Sequence, residues 1–183
     1  MTLKANSTNE IPEQTKRVAK AAFPKANVYI KLRDELGTIY EDKEFEGLFS
    51  NMGQPAFSPS KLALITIFQF VENLSDRQTA DAVRSRIDWK YALGLELEDS
   101  GFDASVLSEF RTRLLENNQA NILFDQLVKK LAEAKLIKQR GKQRTDSTIV
   151  LANIHASSRL EYISETMRYA LNTLAKADPR SIL

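Results

Sequence analysis

The stretch from Lys61 to Asn73 constrains this chain more than any other. Leu62, Ala63, Leu64, Ile65, Ile67, Phe68, Phe70 and Val71 leave only a narrow polar stripe of Thr66, Gln69 and Asn73. Ser58 and Pro59 supply an N-cap and a proline at the first helical position, so the run starts as a helix. A helix that is apolar nearly all round is stable in water only when other elements enclose it. The chain is therefore expected to build amphipathic helices around this one, with Thr66 and Gln69 on its least buried side.

The flanking sequence supplies such helices. Val28 to Leu36 places Val28, Leu32 and Leu36 on one side, and residues 41 to 49 carry Phe45, Leu48 and Phe49. Ser75 with Gln78 three residues later has the pattern of a capping box, followed by Ala80, Val83 and Ile87 at helical spacing. The polar side of that helix carries Arg77, Arg84 and Arg86. Asp88 is a candidate cap for a short helix that pairs Trp89 with Leu93 and stops at Gly94. Trp89 could stack on a base, but its spacing from Leu93 assigns it to the core. Asp103 or Ser105 opens a further helix with Leu107, Phe110 and Leu114 inward. Residues 119 to 137 form another, with Leu123, Phe124, Leu127, Val128 and Leu131 inward and Lys129 and Lys130 outward.

These elements predict a mainly α fold, a compact helical bundle of helix-turn-helix character. A generic helical bundle fits the same pattern. Residues 1–22, interrupted by Asn6-Ser7-Thr8-Asn9 and Pro12, read as a mobile or loosely helical arm. Residues 23–54 read as short packing helices, and residues 55–137 as the helical domain proper.

Composition narrows the function classes. The chain has no cysteine, which excludes disulfides, thiolate metal sites and a cysteine nucleophile, and fits a reducing cytoplasm. The hydrophobic fraction of 43% and charged fraction of 27% are those of a globular protein without a membrane partner. His155, the only histidine, has no second ligand for a zinc site and receives no catalytic role. Net charge is only +2, yet its distribution is uneven. The only charges between residues 95 and 110 are Glu96, Glu98, Asp99, Asp103 and Glu109, whereas nine basic residues face three acidic ones from Arg111 to Arg144. Such asymmetry suits a face that meets nucleic acid, although a basic run also serves simply as solvated surface. The candidates for phosphate contact are Arg77, Arg84, Arg86, Lys90, Arg111 and Arg113, with Lys138, Arg140, Lys142 and Arg144.

Behind that last tract stands a lone acid, Asp146, in Arg144-Thr145-Asp146-Ser147-Thr148-Ile149-Val150-Leu151. Gly141 breaks the preceding helix, and the β-branched run predicts a strand from about Gln143. A carboxylate early on a strand can fix a divalent ion for chemistry at a phosphodiester. The alternative is a turn or cap, in which Asp146 accepts bonds from nearby backbone N–H groups. A last helix follows, with Leu160, Ile163, Met167 and Leu174.

Four segments and this motif together resemble the amino-terminal part of a bacterial insertion-sequence transposase of the DDE class, the type with an InsH-like N-terminal domain. The segments are Phe23-Pro24-Lys25 with Leu32-Arg33-Asp34-Glu35-Leu36-Gly37; Leu74-Ser75-Asp76-Arg77-Gln78-Thr79-Ala80-Asp81-Ala82-Val83-Arg84; Ile87-Asp88-Trp89-Lys90-Tyr91-Ala92-Leu93-Gly94-Leu95; and Leu107-Ser108-Glu109-Phe110-Arg111-Thr112-Arg113-Leu114. The resemblance implies DNA transposition, with double-stranded DNA at mobile-element ends as the partner and self-association as an open alternative. It implies that residues 138–183 begin an incomplete RNase H-like catalytic domain, with Asp146 as the first of three catalytic carboxylates and a ligand of Mg²⁺ in the intact enzyme. The second Asp and the Glu of that set do not occur within these 183 residues. One carboxylate would hold Mg²⁺ weakly. No tight Mg²⁺ binding and no strand transfer are expected of this chain alone. Two rival roles follow: a DNA-bound repressor without chemistry, and a helical module that recognises other proteins.

Overall fold

The computed structural model describes residues 10–49 and 56–137. The expected strand, Asp146 and the last helix, and with them the RNase H-like expectation, lie outside the described residues. Among the described residues there is no strand. The described residues form seven α-helices in succession: α1 (Glu13–Ala22), α2 (Val28–Leu36), α3 (Pro59–Glu72), α4 (Asp76–Ser85), α5 (Ile87–Leu93), α6 (Ser105–Glu116) and α7 (Ala120–Glu133), with a 3-10 helix, Asp42–Leu48, between α2 and α3. None is long and apolar enough to cross a membrane.

Helix α3 is the centre of this arrangement. The Ser58 hydroxyl accepts from the Lys61 N–H, and Pro59 occupies the first turn, where its missing N–H leaves nothing unpaired. At the other end Asn73 adopts the left-handed conformation (φ 54°), and its N–H and that of Leu74 satisfy the carbonyls of Gln69 and Phe70. Every residue from Leu62 to Gln69 is buried. Thr66 and Gln69, expected on the least buried side, are therefore enclosed as well. Enclosure is tolerated because the Thr66 hydroxyl donates to the Leu62 carbonyl at 2.8 Å and Gln69 is hydrogen-bonded to neighbouring helices.

Against α3 pack Tyr29 of α2 and Trp89 of α5. Phe68 lies 4.7 Å from the Tyr29 ring and 5.2 Å from the Trp89 ring, centroid to centroid. Trp89 is fully buried, as its spacing from Leu93 implied. One continuous apolar cluster links Leu32 of α2 and Phe45 of the 3-10 helix with Phe68, Val83, Leu107, Phe110 and Leu127. That cluster has members on both sides of the expected division at residue 55, since helices as short as α2 cannot bury an apolar face alone.

Part of the expected mobile or loosely helical arm is a helix. Residues 13–22 form helix α1, which lays Thr15 and Ala19, both fully buried, against α5. Pro12 does not interrupt it but precedes its first turn with φ −57°, a value its ring favours. The Thr15 hydroxyl donates to the Leu95 carbonyl at 2.7 Å and ties the helix down. A smaller expectation shifts as well. Asp88 does not cap α5 but lies inside its first turn, with Arg86 preceding the helix. As expected, Asp103 and Ser105 stand at the start of α6, where Asp103 accepts from the Ser105 N–H at 2.9 Å. In α7 the buried residues are Leu123, Leu127 and Leu131, while Phe124 and Val128 are half-buried.

Candidate nucleic-acid interface

Helix α4 offers a cationic face on a rigid support. Ser75 and Gln78 form the capping box anticipated from their spacing, the Gln78 side chain accepting from the Ser75 N–H at 2.9 Å. Thr79, Ala80, Ala82 and Val83 are buried and touch α3, α5 and α6. Such small side chains let α4 sit close to its neighbours. The opposite side exposes Arg77, Gln78, Asp81 and Arg84. Arg77 and Arg84 are seven residues apart, hence on one face and about 10 Å apart along the axis. Among the described residues Arg77 makes no ion pair or hydrogen bond. Arg84 donates to Asp81 at 2.7 Å and to the Ser100 carbonyl at 3.1 Å. An exposed pair of this kind contributes under about 1 kcal/mol, so a phosphate can compete for it.

The start of α4 is held by a clamp that the sequence did not reveal. Arg111 of α6 donates to both carboxylate oxygens of Asp76, at 3.0 and 2.7 Å, and to the Gln69 side chain at 3.2 Å. Gln69 in turn donates to Asp76 at 2.7 Å. The Arg111 hydrogen bonds hold the Asp76 carboxyl below the usual carboxylate range, and Gln69 adds to this against the opposing effect of burial. The three residues join α3, α4 and α6 beside an open cleft of about 280 Å³, which Phe70, Asn73 and Leu74 help to line.

The end of α4 is held in the same way. Arg86 donates to Glu72 at 2.6 and 2.7 Å and to Asp88 at 2.7 and 3.1 Å, with its guanidinium 4.9 Å from the Trp89 ring and 5.1 Å from that of Tyr29. Burial acts to raise the Asp88 pKa, but the Arg86 and Asn27 hydrogen bonds outweigh it and the carboxyl stays below its ordinary range. Glu72 also accepts from the Tyr29 hydroxyl.

Lys90 is buried, and its ammonium donates to the carbonyls of Leu97 at 2.8 Å, Asp99 at 2.7 Å and Glu96 at 3.4 Å. Arg113 lies 3.6 Å from Glu109 and 5.0 Å from the Phe49 ring. Of the six candidate cations within the described residues, Arg77 and Arg84 thus face solvent. Arg86, Lys90 and Arg111 direct their charge to internal partners, and Arg113 is half-buried over a ring. Lys138, Arg140, Lys142, Arg144 and Asp146 lie outside the described residues. Missed in the sequence were Gln69 and Asp76 as residues that position α4. Asp76 meets its partner, Arg111, 35 positions later in the chain.

Chemically, α4 can present fixed charge to a polyanion. Among the described residues no group of three or more His, Cys, Asp or Glu could hold a metal ion. A family model described as Transposase domain (DUF772) matches residues 17–113, more than half of the chain. That span runs from within α1 to within α6 and ends before Asp146. No curated protein and no solved structure matches the chain.

Proposed function

Because the chain belongs to the transposase-domain family DUF772, we propose that it is the DNA-binding amino-terminal portion of a transposase and recognises double-stranded DNA at mobile-element ends. The observation that carries this reading is α4 itself, a helix clamped at both ends with Arg77 and Arg84 exposed on one face. Helices α3 and α4 are joined by residues 73–75 alone, a connection of helix-turn-helix length. In that reading α4 enters the major groove, where the outward residues of a second helix meet base edges and phosphates.

The resemblance to InsH-like DDE transposases extends the proposal to Asp146 as the first catalytic carboxylate and a Mg²⁺ ligand of the intact enzyme. Bound Mg²⁺ would supply the activation of water or a DNA 3′-hydroxyl for attack on a phosphodiester. The tract Lys138, Arg140, Lys142 and Arg144 would add phosphate contacts beside it.

The test is salt-dependent binding of the full chain to a labelled duplex of mixed sequence. Each phosphate contact contributes roughly 0.9 to the slope of log affinity against log salt. Arg77→Gln with Arg84→Gln should therefore flatten the slope by about two units. A chain without any salt-sensitive duplex affinity would remove DNA recognition altogether.

A further inference from the structure

A second set of cations lies on α1 and the turn that leads into α2. Residues 14 to 33 contain Lys16, Arg17, Lys20, Lys25, Lys31 and Arg33 and no acid at all. Folding turns much of this set outward. Helix α1 spends Thr15 and Ala19 on its contact with α5, which leaves Arg17 and Lys20 exposed and Lys16 half-exposed. Lys25 is exposed on the turn that leads into α2, and α2 packs on α5 as well. Lys16 and Lys20 stand one turn apart, about 6 Å along the axis, with Arg17 beside them.

Four of these charges are not spent inside the protein. Among the described residues Lys16, Arg17, Lys20 and Lys25 make no ion pair and no side-chain hydrogen bond, unlike Arg86, Lys90 and Arg111. Helix α1 carries one acid, the exposed Glu13 a turn before Arg17, so the four cations keep a net positive charge that holds a counterion atmosphere, and a polyanion that displaces those ions gains free energy.

We propose that α1 and the α1–α2 turn form a second duplex-binding surface, on which Lys16, Arg17, Lys20 and Lys25 contact backbone phosphates. The proposal rests on the reading that the chain binds DNA, and assigns to it a face separate from α4. A membrane fits this surface poorly. The apolar side of α1 is already used, since Ala19 packs with Ile30 and Tyr91, and Ile11 and Phe23 close around them. A basic helix without a free apolar face has nothing to insert below lipid headgroups. The Thr15 bond to the Leu95 carbonyl fixes the start of the helix to the rest of the fold.

The experiment uses the full chain and the labelled duplex of mixed sequence. Replacing Lys16, Arg17, Lys20 and Lys25 together with Gln keeps helix propensity and removes four charges. The slope of log affinity against log salt should fall by about three to four units, with the thermal midpoint unchanged. Replacing the three lysines with Arg should leave the slope as it was. If the wild-type chain binds with a salt-dependent slope and the Gln variant matches it, this surface is not in the interface, while DNA recognition by α4 stands. If the wild-type chain has no salt-dependent duplex affinity, both readings fall. Loss of binding to phosphatidylserine vesicles with unchanged duplex binding would assign the surface to lipid and overturn the proposal. Should the fourfold variant fail to fold, Arg17→Gln with Lys25→Gln alters only exposed positions and should still remove about two units.

Discussion

Lys90 separates a structural cation from a DNA-facing one most sharply. Its ammonium is buried and holds the carbonyls of Leu97 and Asp99 at 2.8 and 2.7 Å, closing the acidic connector against α5. Lys90→Met keeps most of the apolar stem and removes all of these bonds. Hydrogen bonds to a charged group contribute about 1.5–3 kcal/mol each, so two good ones amount to roughly 3–6 kcal/mol. Water reaching the half-exposed Leu97 and Asp99 offsets part of this, and a loss near 3 kcal/mol is expected. With a urea slope of about 2 kcal/mol per molar, the midpoint should move down by about 1.5 M. Trp89, the only tryptophan and fully buried, provides the fluorescence signal for the titration. The folded fraction of the variant should bind duplex DNA with the wild-type salt slope. A midpoint shift below about 0.3 M together with a flatter salt slope would show that Lys90 meets phosphate and that its internal bonds are unimportant.

Other outcomes follow from the same structure. Phe68→Ala should cost about 3–5 kcal/mol in a urea titration because the ring is fully buried between Tyr29 and Trp89, whereas Phe70→Ala, at a half-buried position, should cost clearly less. Asp76 and Asp88 have folded pKa values below those of the unfolded chain, so the stability they add is complete above the ordinary carboxylate range and is lost as pH falls through the folded values. Urea midpoints should therefore fall below about pH 4, and Asp76→Asn with Asp88→Asn should be less stable at neutral pH but flatter on the acid side. Ser75→Ala should cost about 1 kcal/mol by thermal unfolding, through loss of the capping box that starts α4. Asp146→Ala should leave unfolding and duplex binding of this chain unchanged; an unfolded variant would identify Asp146 as a cap rather than a metal ligand.

Local chemistry was legible in the sequence wherever the cause of a feature lay within a few residues of it. Ser58-Pro59, the Ser75–Gln78 box and the stop at Gly94 appear in the fold as their spacing implied, because caps and left-handed termini are satisfied by neighbours along the chain. The burial of α3 and of Trp89 was equally legible, since apolar residues covering a helix leave no side for water. Only the tertiary structure decided how the polar residues are spent. Thr66 and Gln69 look like a solvent stripe in one dimension, yet α4 and α6 close over that side and turn Gln69 into a bridge. Arg77, Arg84, Arg86, Lys90 and Arg111 are equivalent cations in the sequence. Folding gives three of them internal partners that stand up to 42 residues away, and leaves the first two outside. Residues 13–22 of the arm pack as helix α1 for the same reason: the contacts of Thr15 and Ala19 exist only once α5 and Leu95 are in place. A side chain's charge is written in the sequence, but whether it meets a protein carboxylate, a carbonyl or solvent depends on contacts between distant segments, which form only as the core assembles.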